Sequence, residues 1–424
     1  MRSLLAAGRD VSRYCFRSIS NTGRRLADQR PALDFDFLMD EKNLEQLRKN
    51  IASRKGVGDI DALHEKWDFL QNIINAKERP QMTEAELKKH WDELYEMALM
   101  IPNTSHADVP VGSEENAKIL SEFGEKKEGQ QFLTAEKLVH SWRSLLHPVD
   151  ACGQRSYTFI GALANLEKSL LDYVFERVCV LGFKPVTVPD LVSASVAGAC
   201  GIVRNDNRHM QYILDGDVDV ALSGTAEMGI ASVLQGRTFE TEQLPVRLVS
   251  LSRCFRPEIS KSASEAKLYR VHEFYKVEMF VVSEPQNSDA ELEHLIKIQK
   301  GTFESLSLHC RILDMPTEEL GASASRKVDI EAWMPGRSLY GEVSSASNCT
   351  DYQSRRLGIR YKTKEGRTDF VHTCNGTAIA STRAIIALLE TFQSEKKGLL
   401  DLPEVVRSRL KTQRPAPLRF KTAR

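Results

Sequence analysis

The segment RCFRPEISKSASEAKLYRVHEFYKVE, residues 253–278, constrains the fold more than any other part of the chain. Both of its ends are strand-like, and each carries charged or aromatic side chains at alternate positions. Arg256 and Glu258 lie two residues apart at the first end, and Phe274 and Glu278 share alternate positions at the second. Alternate side chains of a strand project from one face of a sheet. The segment therefore predicts two strands, joined by a long loop, that present one charged face.

Such a face packs poorly against a core, but it suits a bound nucleotide. A guanidinium group binds phosphate, an aromatic ring covers a purine, and carboxylates accept hydrogen bonds from amines. Other nucleotide-binding sequences are absent, since the chain has no G-x-x-x-x-G-K-[ST] loop and no G-x-G-x-x-G after a strand. Any ATP site in this chain is therefore expected on this face.

Composition places few limits on the function. The 424 residues are 42% hydrophobic and 27% charged, and no apolar run is long enough to span a membrane. Lys and Arg together number 58, as do Asp and Glu, so the net charge argues neither for nor against a nucleic-acid partner. The eight cysteines form no C-x-x-C pair, which argues against both a zinc site and a disulfide framework.

The start of the chain is rich in arginine. The first thirty residues contain seven arginines among Leu, Val, Phe and Ser, with Asp10 and Asp28 as the only acids. This composition is typical of a mitochondrial transit peptide. We therefore expect residues 1–32 to be a cleaved leader and the mature protein to lie in the mitochondrial matrix. The alternative is a basic leader with no targeting role.

Two helices with regular apolar spacing follow the leader. Positions that recur at intervals of three and four are Ile60, Leu63, Trp67, Leu70 and Ile74 in the first helix, and Leu87, Trp91, Leu94 and Ala98 in the second. A capping box from Thr83 to Glu86 opens the second helix. The spacing predicts an antiparallel helical hairpin within an N-terminal helical domain, residues 33–125.

Residues 126–400 mix both kinds of element. Strand-like runs lie at 246–256, 268–282, 339–345 and 370–375. Apolar spacing predicts helices over 163–178, over a segment that a capping box from Ser288 to Glu291 opens, and over 379–392. Strands joined mostly by loops, with helices set to the side, predict an α+β domain built on an antiparallel sheet.

Residues 401–424 form a basic C-terminal tail. Its candidate RNA-binding residues are Arg407, Arg409, Lys411 and Arg414, and no acid occurs after residue 404. One interpretation is contact with RNA phosphates, and the other is a solvated tail without a partner.

Four further segments occur in the order found in one protein family. GFKPVTVPDLV (182–192) and SGTAEM (223–228) precede the strand pair, and YGEVSSASNCTDYQSRR (340–356) and CNGTAIASTR (374–383) follow it. With them, the chain from about residue 33 to 395 resembles the seryl-tRNA synthetases, which are class II aminoacyl-tRNA synthetases. The resemblance implies the class II antiparallel-sheet catalytic domain preceded by a tRNA-binding helical arm.

The resemblance also implies roles for individual residues. It implies ATP binding by Arg256, Glu258, Phe274, Glu342, Ser345 and Arg383, and serine binding by Thr225, Glu227, Glu278, Asn375 and Thr377. Arg256, Glu278 and Arg383 would be the catalytic residues, and Glu342 and Ser345 would hold Mg²⁺ when ATP binds. No tightly bound cofactor is expected. Taken singly, these residues have plainer interpretations, such as a surface ion pair for Arg256 or a helix cap for Thr377.

The chain departs from the family pattern in three places. Ala266 stands where an arginine would bind the ATP γ-phosphate, with Lys267 beside it. Ala378 and Thr382 stand in place of glycines that allow the backbone to approach the nucleotide. Each hairpin helix has about sixteen residues, or about 24 Å, roughly half the usual reach of the family's arm.

Two hypotheses follow from the resemblance. In the first, the chain keeps the fold but does not charge tRNA, and it acts as an RNA- or synthetase-binding partner in mitochondrial translation. In the second, it is an active mitochondrial serine–tRNA ligase. Both expect a dimer through the region around Pro189, with a second copy or with a seryl-tRNA synthetase subunit. Both also leave open a complex with tRNA or another mitochondrial RNA.

Overall fold

The structure is a computed structural model. It describes residues 31–75, 83–129, 131–140, 142, 145–146, 152–153, 155–202, 211–214, 220–258, 268–394 and 400–410. Nearly all of the predicted leader lies outside these residues, as do Ala266, Lys267, Lys411 and Arg414. No helix within the described ranges is both long enough and apolar enough to cross a membrane.

The N-terminal region is helical. Its helices are α1 (Phe35–Met39), α2 (Glu41–Ser53), α3 (Ile60–Asn75) and α4 (Glu84–Leu99). The predicted capping box is present, because the Thr83 hydroxyl accepts from the Glu86 amide while the Glu86 carboxylate accepts from the Thr83 amide.

The α3–α4 pair is the predicted antiparallel hairpin. Trp67 packs edge-on against Trp91 with ring centroids 6.1 Å apart, and two residues further along α3 Phe69 meets His90. Contacts that advance along one helix and retreat along the other require antiparallel helices. Leu63, Leu70 and Leu94 are buried in the seam.

Eight strands form one large sheet. They are β1 (Lys118–Phe123), β4 (Lys184–Pro185), β8 (Val246–Phe255), β9 (Glu273–Ser283), β10 (Cys310–Asp314), β11 (Arg326–Met334), β12 (Leu339–Asn348) and β15 (His372–Ala380). Their spatial order is β1-β10-β11-β12-β15-β9-β8-β4, and every pairing is antiparallel except β4 with β8. The predicted antiparallel α+β domain is confirmed.

Short strands and helices complete the core. The strands are β2 (Leu145–Leu146), β3 (Thr158–Phe159), β5 (Leu191–Ser193), β6 (Val220–Leu222), β7 (Thr238–Glu240), β13 (Arg360–Lys362) and β14 (Thr368–Phe370). The helices are α5 (Ala135–His140), α6 (Ala162–Val180), α7 (Ala194–Ala199), α8 (Ala226–Leu234), α9 (Ser288–Ser305), α10 (Tyr352–Leu357), α11 (Ser381–Thr391) and α12 (Glu404–Arg407).

Strand β9 divides the interior in two. Val277, Met279 and Val281 lie in the larger hydrophobic core, which α6, α9 and α11 cover. Phe280 and Val282 lie in a smaller core that includes residues of α7, α8 and α10. Because side chains alternate along a strand, Lys276 and Glu278 share the second face with Phe280. The functional face is therefore the side on which α8 and α10 pack.

Several predicted boundaries were wrong. β8 ends at Phe255, so Arg256 and Glu258 lie just beyond the strand rather than within it. The second strand begins at Glu273 instead of residue 268. β1 falls inside the segment predicted as the helical domain, yet it pairs with β10 as an edge of the sheet, so the core begins before residue 126.

The second predicted capping box was also wrong. α9 begins at Ser288, as expected, but no side chain caps its first turn. The Ser288 hydroxyl donates to the Pro285 carbonyl, and the Glu291 carboxylate is taken by two guanidinium bonds from Arg247. A tertiary ion pair has replaced the local contact that the spacing suggested.

The hairpin seam provides a test of the packing. Leu70→Ala should destabilise the hairpin by about 2–5 kcal/mol, because the fully buried side chain leaves a cavity. Ile74→Ala, at a 52% exposed position of the same helix, is the matched control and should cost much less. Hydrogen exchange of the α3 amides measures both. Equal acceleration in the two variants would contradict the assigned seam.

Candidate active-site cleft

A cleft opens where β9, β12 and β15 lie side by side on the functional face. Its lining includes most of the predicted nucleotide-binding residues, together with neighbours from the segment after the loop: Arg256, Glu258, Tyr269, Arg270, Phe274, Lys276, Glu342, Thr377, Thr382 and Arg383. Residues far apart in sequence meet here because the three strands are neighbours in the sheet.

The two strand ends place Arg256 and Phe274 together. The backbone amide of Arg256 donates to the His272 carbonyl. This bond holds the segment after β8 in register with the segment before β9. The Arg256 guanidinium carbon then lies 5.4 Å from the Phe274 ring centroid, within cation–π range. Glu258 pairs with Arg270 at 3.5 Å. The structure thus brings together Arg256 and Phe274, two of the residues predicted to bind ATP.

Two residues of the cleft lining, Glu342 and Tyr269, hold Arg383 in place. Its guanidinium pairs with Glu342 at 3.2 Å, donates to the Tyr269 carbonyl at 3.2 Å, and lies 4.7 Å from the Tyr269 ring centroid. Burial alone would raise the pKa of Glu342, but the charges of Arg383 and Lys327 outweigh it and lower this pKa to about 2. Glu342 is therefore ionised at neutral pH and paired with the arginine predicted to bind nucleotide.

The predicted serine-binding residues form a connected network around β9. Lys276 binds Glu278 at 2.5 Å and donates to the Thr225 hydroxyl at 2.7 Å. Thr225 is the N-cap of α8, so this contact ties the helix to the sheet. The Thr377 hydroxyl donates to Oε2 of Glu278, the same carboxylate oxygen that Lys276 contacts. Lys276 was not predicted as a site residue, although its alternation with Glu278 was a signal.

Glu227 forms the other end of this network. Asn375 and Gln353 both donate to its Oε1 atom, at 2.9 and 2.5 Å. Burial, and then the nearby charge of Glu278, raise the pKa of Glu227 to about 7. Gln353 was missed by the sequence analysis because its position on α10 shows no periodicity linked to the site. The structure thus brings all five predicted serine-binding residues together.

Two positions lie elsewhere than expected. Ser345 does not line the cleft; it pairs in register with Asp329 of β11, and its hydroxyl interacts with that carboxylate. Ala378 was expected to narrow the nucleotide approach, but it packs in the larger core, because it follows Thr377 and so lies on the opposite face of β15.

The tail residues that the structure describes are engaged within the chain. Arg407 pairs with Glu404 one turn earlier in α12. Arg409 pairs with Glu176 of α6 at 2.8 Å and lies over the Tyr173 ring. Neither residue lies near the cleft lining.

The cleft is narrow, with a volume of about 40 Å³, and its lining includes Lys276 and Thr377 as well as the predicted nucleotide-binding residues. Thr382 is 2% exposed and contributes to its wall, in the place where the family pattern has glycine. Binding sites for drug-sized ligands are larger and usually occupy about 300–1,000 Å³.

Comparison with known proteins first defines the class. Residues 212–392 match the model of the tRNA synthetase class II core domain for glycine, histidine, proline, serine and threonine. This range contains β8, β9, β12, β15 and every predicted residue of the cleft. The fold and the cleft are those of a class II aminoacyl-tRNA synthetase core.

The relatives then define the family. The chain is 36% identical over 390 residues to the serine–tRNA ligase of Rubrobacter xylanophilus, covering 90% of this chain and 89% of that protein. It is 42% identical over 345 residues to the mitochondrial serine–tRNA ligase of Mus musculus, covering 79% of this chain but only 65% of that protein. The chain belongs to the seryl-tRNA synthetase family.

A solved structure agrees with this assignment. Seryl-tRNA synthetase from Pyrococcus horikoshii, solved in complex with ATP, superposes with a TM-score of 0.76 at 26% sequence identity. The match covers 89% of this chain and 98% of that one. The similarity therefore includes the N-terminal helices as well as the core.

The buried Lys276–Glu278 pair is a testable support of the cleft. Lys276→Met should destabilise the protein by about 3–5 kcal/mol, because it leaves the Glu278 carboxylate buried without its cation. Arg253→Met is the matched control, since Arg253 pairs with Glu273 on the same strands at a half-exposed position and should cost at most about 1 kcal/mol. Urea denaturation measures both. Equal losses would contradict the buried pair's role.

Proposed function

We propose that this protein retains the serine-recognising half of a seryl-tRNA synthetase site but does not charge tRNA at a useful rate. It acts instead as a binding or regulatory partner in mitochondrial translation. The observation that carries the proposal is the contrast between the two halves of the site. The predicted serine-binding residues are linked by hydrogen bonds to Glu227 and Glu278, whereas the cleft lined by the predicted nucleotide-binding residues measures about 40 Å³ and its Arg383 is paired with Glu342.

Nucleotide binding would have to break existing contacts. Arg383 must leave Glu342 or share it, and the Thr382 side chain must be accommodated where the family pattern has no side chain. At the sequence level, Ala266 cannot supply a guanidinium to the γ-phosphate. A lost charge-assisted hydrogen bond of this kind costs about 1.5–3 kcal/mol.

ATP with Mg²⁺ remains the ligand that the nucleotide half would take, bound weakly rather than as a resident cofactor. Arg256 would hold phosphate and Phe274 would cover the adenine ring. Glu342 fits Mg²⁺, because this ion prefers oxygen ligands and the carboxylate is ionised. Ser345 fits less well, since its hydroxyl lies against Asp329. When bound, Mg²⁺ supplies neutralisation of the phosphate charge.

The short arm supports the same proposal. Helices α3 and α4 have 16 residues each, about 24 Å at the α-helical rise. An arm of roughly half the family's reach holds tRNA less firmly, so the acceptor end would enter the site less often. Contact of the tail with RNA rests on Lys411 and Arg414, because Arg407 and Arg409 already pair with carboxylates.

The proposed location is the mitochondrial matrix, and the proposed state is a dimer. Mitochondrial relatives and the arginine-rich leader support the location. Exposed apolar residues near Pro189 support the dimer, since Val180 is 87% exposed and Leu181 and Leu191 are also exposed. The partner is a second copy or a seryl-tRNA synthetase subunit. The apolar face of α6 is not part of this surface, because it packs within the chain.

The second candidate is an active serine–tRNA ligase, and the complete serine network favours it. In that reaction the serine carboxylate attacks the ATP α-phosphorus and pyrophosphate leaves, which forms seryl-adenylate. A terminal hydroxyl of tRNA then takes the seryl group, and AMP leaves. Arg256 would stabilise charge on the α-phosphate, while Glu227 and Glu278 would hold the serine amine. Positioning and charge stabilisation would supply most of the rate.

Serine-dependent ATP–pyrophosphate exchange separates the two candidates. We expect a rate about 10- to 100-fold below that of the mouse mitochondrial relative, because a guanidinium is missing and the cleft is narrow. The double variant Ala266→Arg with Thr382→Gly should raise the rate, whereas Arg360→Lys, outside the cleft, should not. Exchange and charging of mitochondrial serine tRNA at the relative's rate would establish the ligase instead.

Serine binding should depend on pH. The serine ammonium group pairs with ionised Glu227, whose pKa in the free protein is about 7. Below pH 7 this carboxyl is protonated and must lose its proton on binding, so affinity should be about tenfold higher at pH 8 than at pH 6. Calorimetric titration with serine measures this change. In Glu227→Gln the dependence should disappear, and a flat profile for the natural sequence would contradict the assigned role.

A further inference from the structure

A second pocket lies away from the cleft, between the N-terminal helices and the core. Its walls come from α1, from the segment 101–105 that leaves the helical region, and from α10. Its volume is about 320 Å³, within the range of sites that bind small molecules. Nothing in the proposed serine or nucleotide chemistry uses this pocket.

The distinctive feature of this interdomain pocket is the Arg356 guanidinium. One of its terminal nitrogens donates to the Tyr352 carbonyl at 3.1 Å, and its central carbon lies 3.4 Å from the Tyr352 ring centroid. Its Nε atom is buried and has no hydrogen-bond partner among the described residues. Nor does any described carboxylate pair with it. The preceding residue is different, because Arg355 pairs with Asp34 at 2.7 Å and with Asp351 at 2.5 Å.

A second arginine without a carboxylate partner among the described residues, Arg54, lies behind the pocket wall formed by Asn103 and Ser105. Arg54 is 5% exposed and donates to the carbonyls of Asn103, Ala324 and Gly321, while no described carboxylate pairs with it. Burial lowers the pKa of Arg54 to about 10 and lowers the pKa of Arg356 as well. Buried charge without a counter-charge is costly. Asp34 and Asp351 also line the pocket, but Arg355 binds both carboxylates, so an anion would bind at Arg356.

The rest of the lining has a polar side and an apolar side, so it suits a molecule that has one part of each kind. Hydroxyl groups of Thr104, Ser105 and Thr350 lie on the polar side. Leu38 and Leu47 supply an apolar side. An inorganic anion alone would leave the apolar wall uncovered, whereas an anion attached to an aromatic or aliphatic group would cover it.

We propose that the interdomain pocket binds a small molecule that carries a phosphate or carboxylate group on an aromatic or aliphatic body, with the anion on Arg356. The same helix, α10, carries Gln353, which donates to Glu227 of the serine network. The pocket and the serine network therefore share one helix. The proposal does not depend on whether the protein charges tRNA.

Calorimetry on the full chain tests the site, with phenyl phosphate and benzoate as probes and phenol as the uncharged control. We expect one of the two anions to bind with a dissociation constant of about 1 mM or tighter, and phenol not to bind. The stronger probe identifies the anionic group. Arg356→Gln should weaken binding about tenfold or more, through loss of a charge-assisted contact.

Two further variants make the result specific. Thr104→Leu fills the pocket without removing charge, and it should also abolish binding. This variant keeps the test decisive if Arg356→Gln fails to fold. Arg383→Gln removes the anion-binding group of the active-site cleft and should leave the affinity unchanged. Absence of binding by both anions would overturn the proposal. So would binding that Arg383→Gln abolishes while Arg356→Gln and Thr104→Leu preserve it, since the anion would then lie in the cleft.

Discussion

The site depends on one buried ion pair. Lys276 and Glu278 are 4% and 2% exposed, and both lie on the face of β9 opposite the larger core. Burying two charges is tolerated only when their remaining hydrogen bonds are also satisfied. Here Thr225 accepts a hydrogen bond from Lys276 and Thr377 donates one to Glu278, and these contacts fix the start of α8 and the middle of β15 against β9. The stability of the fold and the geometry of the serine network thus rest on the same contacts.

The two halves of the cleft differ in the balance of their charged side chains. In the serine half, carboxylates outnumber the single lysine, and burial raises the pKa of Glu227 to about 7. Under the proposed function, the serine amino group would supply a further cation. In the nucleotide half, Arg383 and Glu342 already pair with each other. Under the same proposal, a phosphate would have to compete with this pair.

Local patterns allowed much of the fold to be predicted. The apolar spacing around Trp67 and around Trp91 predicted the helical hairpin, and the alternation from Phe274 to Glu278 predicted the strand that carries the site. Strands β1 and β10 were missed because they are short and are defined by their pairing within the sheet. Strand β11 was missed although apolar residues alternate from Val328 to Met334. At Ser288 the local pattern instead predicted a contact that does not form. The expected capping box with Glu291 is absent, because the Glu291 carboxylate pairs with the distant Arg247.

The sequence by itself determined the class of the fold, the family and the set of residues that meet at β9, since periodicity and motif order are local properties of the chain. Only the tertiary structure decided how those residues are used. Ala378, which was expected at the cleft, lies on the core face of β15, and packing of α10 brings Gln353 to Glu227. Contacts between distant segments depend on register and packing angles, which neighbouring residues do not encode. The same applies to the Arg383–Glu342 pair and to the unpaired guanidinium of Arg356.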